Sequence, residues 1–246
     1  MLPLPLLYQD ECLVAINKPS GLLVHRSLID KHETQFAVQL LRDQIGQKVY
    51  PVHRLDRPTS GVLLFALDPH TARHLTEQFT QGFVQKTYLA LVRGFCAPTG
   101  VIDYALKEAL DPLADAKANP HKLPQTAITH YQTLEQFELP FASGKHASSR
   151  YSLLALQPKT GRKHQLRRHL KHIFHPILGD TTYGDGQQNR LFREHFSCES
   201  CERLMLHAQA LQVQHPINQV NVLLQAPLTE EFKQVLQAIV KAQSAN

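Results

Sequence analysis

The chain has 246 residues, of which 43% are hydrophobic and 19% charged, and its formal net charge is +5 at pH 7. This is an ordinary globular composition, which excludes a disordered chain. No apolar run approaches the roughly 20 residues of a membrane-spanning helix, and the N-terminus lacks the features of a signal peptide. We therefore expect a cytoplasmic protein, and the mild basic excess permits a polyanionic partner.

Alternating apolar stretches and turn residues predict mainly strands in the first half of the chain. Strands are expected at 4–8, 12–17, 49–56, 62–67 and 86–94, and helices at 34–45 and 68–82. The second helix has the clearest boundaries. Asp68 suits the N-cap, Pro69 the first helical position and Gly82 the end.

The second half begins with a segment of weak periodicity, residues 107–126, which we expect to be a flexible insert. Strands are predicted at 127–138, 150–157, 208–214 and 219–225, and helices at 162–174 and 228–243. Residues 180–202 look polar and irregular. Because strands outnumber helices without regular alternation, the sequence predicts an α+β fold with a mostly antiparallel, mixed sheet flanked by helices and loops.

The first candidate for chemistry is Asp56, in the run HRLDRPTSG. If residues 49–56 form a strand, Arg54 and Asp56 share one face, and Asp56 lies at the strand exit. An acid before a tight turn is well placed to face a cleft. The alternative from these residues alone is a surface ion pair between Arg54 and Asp56.

The second candidate is the predicted helix at 162–174, which contains many basic residues and no acidic ones. Its apolar stripe is Leu166, Leu170, Ile173 and Phe174. The remaining surface carries cations and histidines, so we expect this face to contact phosphate, with an ordinary solvated face as the alternative.

Two further features have more than one interpretation. Tyr88 lies in an apolar strand, where it could be a core residue or could stack on a base. Cys198 and Cys201, with His195 and His207 nearby, could bind zinc or form a redox pair, but the surrounding polar segment favours two thiols in a loop.

Several motifs, taken together and in order, resemble one family. They are KPSGLLVH at 18–25, HRLDRPTSGVLLFA at 53–66, KTYLALVRG at 86–94, TGRKHQLRRHL at 160–170, HPILGDTTYG at 175–184 and RLMLHA at 203–208. This series is similar to that of the RluA-type pseudouridine synthases, and it spans nearly the whole chain.

The resemblance implies the pseudouridine synthase fold with a central catalytic cleft. It implies that Asp56 is the catalytic aspartate, that Tyr88 stacks on the target uracil and can help to remove its C5 proton, and that Arg167 pairs with the aspartate. No metal and no organic cofactor are expected. The residues expected to contact RNA are Arg54, Arg57, Arg162, Lys163, His164 and Arg168. We further expect a monomer with a single catalytic domain over 1–246 and no separate N-terminal RNA-binding domain.

The choice of RNA depends on closer features. The runs QPKTGRKHQLRRHL and GDGQQNRLFREHF resemble a branch of the family that modifies uridine 65 in the T stem of tRNA. Three alternatives remain: the same chemistry on ribosomal RNA, a non-catalytic RNA-binding protein, and a metal hydrolase suggested by the fifteen histidines. The presence of Asp56, Tyr88 and Arg167 together argues against a non-catalytic protein.

Overall fold

A computed structural model describes residues 3–26, 33–108, 123–143, 146–196 and 199–244. Within these ranges, ten strands form one mixed sheet, with five α-helices around it. The strands are β1 (Leu6–Gln9), β2 (Leu13–Lys18), β3 (Tyr50–Pro51), β4 (Ser60–Ala66), β5 (Gln85–Arg93), β6 (Thr99–Asp103), β7 (Ile128–Leu139), β8 (Ser149–Pro158), β9 (Leu206–Gln214) and β10 (Asn221–Gln225). The helices are α1 (Ala37–Ile45), α2 (Pro69–Gln81), α3 (Gln165–His172), α4 (Gly186–Phe196) and α5 (Glu230–Ser244), with a 3-10 turn at Glu199–Glu202.

The main sheet runs in the order β1-β2-β4-β9-β5-β8-β7-β6, with β3 paired to β4 and β10 to β9. Among the strand pairs of the described residues, β4 with β9 is parallel and the others are antiparallel. The predicted α+β class with a mostly antiparallel sheet is therefore confirmed.

Strands β2 and β4 are buried along their whole length because helices cover both faces of the sheet here. Successive side chains of a strand point to opposite faces. Val14 and Ile16 accordingly pack with Leu41 of α1, whereas Leu13 packs on the other face with Leu75 of α2. A further apolar cluster joins β5 and β8 to α3, α4 and α5.

The parallel contact between β4 and β9 is short and very close. It pairs Ser60 with His207 and Gly61 with Ala208. Gly61 has φ +115°, and a Cβ on it would lie 2.2 Å from the carbonyl oxygen of Ala208. Only glycine fits this position, since any side chain would overlap the neighbouring backbone.

Several local predictions are confirmed. The side chain of Asp68 accepts the N–H groups of His70 and Thr71, and Gly82 closes α2 in the left-handed conformation. The C-terminal helix is present as α5, and a turn separates β1 from β2. Most of the predicted insert, residues 109–122, lies outside the described residues.

Three predictions are wrong. The strand expected at 49–56 stops at Pro51, so Arg54 and Asp56 share no strand face; the ring nitrogen of His53 accepts the N–H of Leu64 instead. The irregular segment expected at 180–202 contains α4. Phe174 lies beyond the end of α3 with φ +63° and is 86% exposed, so it is no part of the apolar stripe.

Strand β6 and helix α4 were both missed. Both elements have a weak hydrophobic pattern, since β6 exposes Val101 and α4 buries Phe192 among mostly polar residues. The start of α4 is capped by Asp185, whose side chain accepts the N–H of Gln188. None of the helices in the described ranges is long and apolar enough to span a membrane.

The turn between β1 and β2 depends on one carboxylate. Asp10 Oδ1 accepts the N–H groups of Cys12 and Leu13 at 2.8 and 2.7 Å, and Oδ2 contacts the Tyr8 hydroxyl and His215 Nε2 at 2.5 and 2.9 Å. Burial alone would raise the pKa of Asp10, but these hydrogen bonds outweigh it and lower the pKa to about 2.

We predict that Asp10→Ala lowers the free energy of unfolding by about 1–3 kcal/mol at pH 7, because two N–H groups lose their acceptor. The ionised carboxylate stabilises the fold above its unfolded pKa of 3.8 and loses this effect as the pH falls toward about 2. The difference from wild type should therefore shrink over that interval. Urea denaturation followed by circular dichroism measures it.

The matched control is Asp43→Ala, because Asp43 is exposed on α1 and pairs with the adjacent Arg42. Its effect should stay within about 0.5 kcal/mol. Equal urea midpoints for the two variants would contradict the role given to Asp10.

Candidate active site

A cleft of about 800 Å³ opens beside the β4–β9 contact. It is lined by residues 52–56, by the end of α2, by β5 and by residues 158–167. The cleft brings together the three residues expected to be catalytic, Asp56, Tyr88 and Arg167. Of the residues expected to contact RNA, it also contains Arg54, Arg162, Lys163 and His164.

The segment that carries Asp56 is irregular, and the Lys-Pro-Ser-Gly motif holds it in place. The backbone of Arg57 accepts hydrogen bonds from Gly21 N–H at 2.9 Å and from Lys18 Nζ at 3.1 Å. Ser20 Oγ donates to Pro58 at 2.7 Å. The turn closes on itself through Thr59 N–H, which donates to the Asp56 carbonyl. Two distant motifs therefore fix the backbone at Asp56.

Lys18 is completely buried beneath this turn. Its Nζ lies 2.8 Å from the carbonyl oxygens of both Pro19 and Leu22, in addition to that of Arg57. Burial, and then Arg203, lower the pKa of Lys18 to about 7, whereas Asp56 acts in the opposite direction. Three carbonyl acceptors match the three N–H groups of an ammonium, so Lys18 fixes the turn beside the candidate catalytic carboxylate from beneath.

His53 anchors the other side of the same segment. Its Nε2 accepts the N–H of Leu64 at 2.9 Å, and its ring stacks on Phe79 with centroids 4.8 Å apart. Burial, with a smaller effect from Lys86, lowers the pKa of His53 to about 3. This histidine is therefore a neutral structural residue.

Beneath Asp56 lies a buried ion pair. Arg167 Nε and Nη2 donate to the two carboxylate oxygens of Asp180 at 2.7 and 2.8 Å. The remaining terminal nitrogen, Nη1, lies 3.5 Å from Asp56 Oδ2. The side chains of Arg167 and Asp180 are 6% and 1% exposed, whereas that of Asp56 is 18% exposed and reaches the cleft.

The loop after Gly179 is organised around Asp180. Asp180 Oδ1 also accepts the backbone N–H groups of Thr182 and Tyr183, both at 2.9 Å. Burial raises the pKa of Asp180, but the bonds from Arg167 and the backbone reverse this and hold it below its ordinary value. The acid therefore stays ionised and fixes the guanidinium.

Tyr88 reaches the cleft from β5. It pairs with Ala208 of β9 on one side and Leu156 of β8 on the other. Burial, and then the charge of Asp56, raise the pKa of Tyr88 far above its ordinary value. The phenol is therefore protonated at neutral pH and offers a neutral aromatic ring near the carboxylate.

His164 approaches Asp56 from the start of α3. Its Nε2 lies 3.7 Å from Asp56 Oδ1, and its Nδ1 lies 3.0 Å from the Tyr183 hydroxyl. Burial lowers the pKa of His164, although Asp56 opposes this. The Arg167 guanidinium lies 5.1 Å from the centre of the Tyr183 ring.

The charge of the cleft is strongly one-sided. Among the described residues that line it, Asp56 is the single acid, against six lysines and arginines. Lys86 and Lys159 were not among the residues predicted from sequence. Burial, and then Lys159, lower the pKa of Lys86. Such an excess of cations around one carboxylate suits a polyanionic substrate.

Two residues expected to contact RNA do not line the cleft. Arg57 pairs with Glu33 at 2.5 Å and donates to the carbonyl of Gly21. Arg168 lies half-buried on α3. Asp180 and Tyr183 were not predicted as site residues, although both lie in the motif HPILGDTTYG. Their importance follows from contacts with α3 that motif spacing does not reveal.

One group among the described residues has donor atoms close enough to hold a metal ion. These atoms, from Asp10, Cys12 and His215, lie within 4.8 Å of one another. The Nδ1 of His215 accepts backbone N–H groups, so its Nε2 keeps the proton that it donates to Asp10. Burial, and then Asp10, raise the pKa of the Cys12 thiol to about 11. The cluster is therefore arranged for hydrogen bonding, not for ligation.

Of the residues considered for a zinc site or a redox pair, Cys198 lies outside the described residues. Cys201 is buried. Both ring nitrogens of His207 are engaged, with Ser60 Oγ and with the carbonyl of Ala226. His195 stacks on Phe141.

Comparison with known proteins gives consistent results. A family model described as RNA pseudouridylate synthase matches residues 12–172. The chain is 56% identical over 233 residues to a Vibrio cholerae protein named tRNA pseudouridine synthase C, covering 95% of this chain and 94% of that protein. A Haemophilus ducreyi protein of the same name is 56% identical over 230 residues, with 94% and 93% covered.

The solved structure of human RNA pseudouridylate synthase domain containing 4 superposes with a TM-score of 0.71 at 30% identity, covering 96% of this chain and 93% of that chain. This similarity confirms the pseudouridine synthase fold expected from the motifs. With a family match over most of the chain and relatives above half identical, the protein belongs to the RNA pseudouridylate synthase family and is an enzyme that isomerises uridine to pseudouridine in RNA.

Proposed function

We propose that this enzyme acts on tRNA, at uridine 65 in the T stem, with Asp56 as its catalytic carboxylate. The observation that carries the site assignment is the position of Asp56, the single acid among the described residues of a cationic cleft, backed by Arg167 at 3.5 Å. The tRNA assignment is supported by relatives named tRNA pseudouridine synthase C that align over nearly their whole length.

The chemistry requires an ionised carboxylate. The C1′–N1 bond of uridine breaks, the uracil turns, a C1′–C5 bond forms, and the proton lost from C5 is balanced by one gained at N1. Asp56 can attack C1′ as a nucleophile, as in retaining glycosidases, or can remove a sugar proton and start an elimination. In both routes Arg167 Nη1, at 3.5 Å from Oδ2, provides a positive charge beside the carboxylate.

Tyr88 is the proposed stacking partner of the uracil. Its ring enters the cleft beside Asp56, and its raised pKa keeps the phenol neutral. A neutral ring suits stacking on a base, since every base has a π-face. This favours a stacking role over removal of the C5 proton by a phenolate.

The cationic lining is the proposed contact for the RNA backbone, through Arg54, Arg162 and Lys163, together with Lys86 and Lys159. A base cannot be reached while it is stacked in a helix, so the target uridine must be flipped into the cleft. Arg54, which is exposed at the cleft, would fill the space that the base leaves. Arg57 and Arg168 would contribute contacts outside the cleft.

We further propose that the protein acts as a monomer in the cytoplasm and needs no cofactor. The single-domain organisation is supported by the continuous sheet, which all three apolar clusters share. A ribosomal RNA substrate would need the same site. Mapping of pseudouridine in tRNA and ribosomal RNA from cells that lack the protein distinguishes the two substrates.

We predict that cells lacking this protein lose pseudouridine at position 65 of tRNA, as mapped by carbodiimide chemistry. Wild-type protein and Asp103→Asn, which changes an exposed acid on β6, should restore the signal. Asp56→Asn should not, because a neutral amide can neither attack C1′ nor accept a proton. Restoration by Asp56→Asn would overturn the catalytic assignment, and a lost signal in ribosomal RNA instead would overturn the tRNA assignment.

We predict that Arg167→Lys lowers the single-turnover rate about 100-fold with little change in tRNA affinity. Lysine keeps the charge but cannot hold both oxygens of Asp180 while reaching Asp56, and small displacements at a reacting group have effects of about this size. Arg190→Lys, on the exposed surface of α4, is the control. A wild-type rate for Arg167→Lys would show that charge alone is sufficient.

We predict that Arg54→Ala slows single turnover about 10-fold on a fully paired T stem, and less when the base opposite the target uridine is mismatched. An unpaired base needs less energy to leave the stack, a difference of a few kcal/mol at most. Arg73→Ala, on the exposed surface of α2, is the control. Equal losses on the two RNAs would contradict the proposed filling of the vacated space.

A further inference from the structure

We propose that His164 is a positioning residue for Asp56, and that the Tyr183 hydroxyl holds its ring in place through Nδ1. In this arrangement His164 Nε2–H faces Oδ1 of the carboxylate while Arg167 faces Oδ2. The proposal rests on the proposed function, since it takes Asp56 as the reacting carboxylate, and it gives His164 a different role from the RNA contact expected from sequence.

The two donors approach different oxygens of one carboxylate. His164 Nε2 lies 3.7 Å from Asp56 Oδ1, and Arg167 Nη1 lies 3.5 Å from Oδ2. Two contacts on opposite oxygens restrict rotation of the carboxylate plane, which a single contact cannot do. Both distances exceed those of good hydrogen bonds, and catalytic hydrogen bonds of free enzymes commonly shorten when substrate binds.

The tautomer of His164 follows from its two partners. A neutral imidazole carries one N–H, and the other nitrogen accepts. If Nε2 carried the lone pair, it would face the negative carboxylate of Asp56 and repel it. The proton is therefore on Nε2, and Nδ1 accepts the Tyr183 hydroxyl at 3.0 Å.

Tyr183 is itself held by the acid that holds Arg167. Its backbone N–H donates to Asp180 Oδ1 at 2.9 Å, while the same carboxylate binds the Arg167 guanidinium through two hydrogen bonds. Asp180 thus organises both contacts on Asp56, one through Arg167 and one through Tyr183 and His164. This gives the hydroxyl of Tyr183 a role in the site that its ring contact with Arg167 does not explain.

The backbone of His164 is also unusual. It has φ +55° at the start of α3, and its side chain makes no capping hydrogen bond. The side chain of Gln165 accepts the N–H of Arg162 in its place. A non-glycine residue in the left-handed region is strained, and such residues cluster at functional sites. Here His164 lies with both ring nitrogens toward the reacting group and its partner, not toward the helix start.

The charges facing His164 are consistent with a neutral ring. Burial lowers its pKa, Asp56 and Asp180 act to raise it, and Arg167 and Lys163 act to lower it, with a net decrease. A neutral ring has two tautomers; the Asp56 carboxylate favours the one with the proton on Nε2, and the Tyr183 hydroxyl then holds the ring through Nδ1.

The first test compares His164→Gln with His164→Asn. Glutamine can place an N–H where Nε2 lies, whereas asparagine tolerates the left-handed backbone but is too short to reach Asp56. We expect His164→Asn to lower the single-turnover rate about 30-fold with unchanged tRNA affinity, and His164→Gln to recover most of it. Loss of affinity with an unchanged rate would assign His164 to the RNA backbone and overturn the proposal.

The second test is a double-mutant cycle with Tyr183→Phe, which keeps the ring beside Arg167 and removes the hydroxyl. Alone, it should lower the single-turnover rate about fivefold, because the imidazole then loses the hydrogen bond that fixes its orientation. In the His164→Gln background it should have no further effect, since the hydroxyl acts on Asp56 only through the imidazole. Equal losses in both backgrounds would overturn the proposed role of the hydroxyl.

Asp56→Asn in the same assay separates this proposal from the proposed function. Activity in Asp56→Asn would remove the basis of both. Inactivity of Asp56→Asn together with full activity of His164→Asn would overturn the positioning role alone. Circular dichroism and urea midpoints of each variant show whether a lost rate reflects unfolding.

Discussion

The buried pair between Arg167 and Asp180 is the interaction on which the rest of the site depends. Moving two charges out of water has a penalty of several kcal/mol for each ion, which their attraction offsets only when the geometry is good and the remaining polar groups are satisfied. Here Nε and Nη2 of Arg167 donate to the two carboxylate oxygens of Asp180, and two backbone N–H groups donate to Oδ1 as well. This arrangement leaves one nitrogen of Arg167 directed at Asp56.

A fixed cation of this kind does more than neutralise charge. Because Arg167 is held by Asp180, it need not move when substrate arrives, and preorganised groups of this type stabilise charge without reorganisation. A lysine would supply the same charge on a flexible side chain. It would lack the planar guanidinium that contacts Asp180 and Asp56 at the same time. The geometry therefore explains why arginine stands between a structural acid, Asp180, and the proposed catalytic acid, Asp56.

The sequence predicts an element correctly where neighbouring residues alone determine its start and end. The helix from Pro69 to Gln81 was predicted with its N-cap and its end because Asp68 and Gly82 act on their own neighbours. A strand is predicted to include residues 52–56 because the segment is apolar and rich in residues that favour strands. Its actual conformation depends on bonds to residues 18–21 and 64, which no local pattern contains. The same limit applies to the site. Asp56, Tyr88 and Arg167 were selected through a family resemblance, and the structure places them in one cleft.

Asp180 shows why the rest of the site could not be predicted. It lies in a recognised motif, yet its role depends on meeting Arg167 in space. Its loop is further tied by Asn189, which donates to the Asp180 carbonyl and accepts the N–H of Gly179. Asn189 belongs to α4, the helix that was not predicted from the sequence. Its two hydrogen bonds to the Asp180 loop therefore could not be predicted either.

The run from His53 to Gly61 combines three physical requirements in nine residues. His53 is neutral and joins the segment to β4, Asp56 supplies the proposed catalytic carboxylate, and Gly61 allows β9 to approach within a distance that no side chain permits. Through Ala208, Gly61 lies in register with Tyr88 two strands away. A larger residue at 61 would therefore move Tyr88 relative to Asp56 without touching either. The glycine thus brings β9, and with it the strand of Tyr88, close to the segment that carries the proposed catalytic carboxylate.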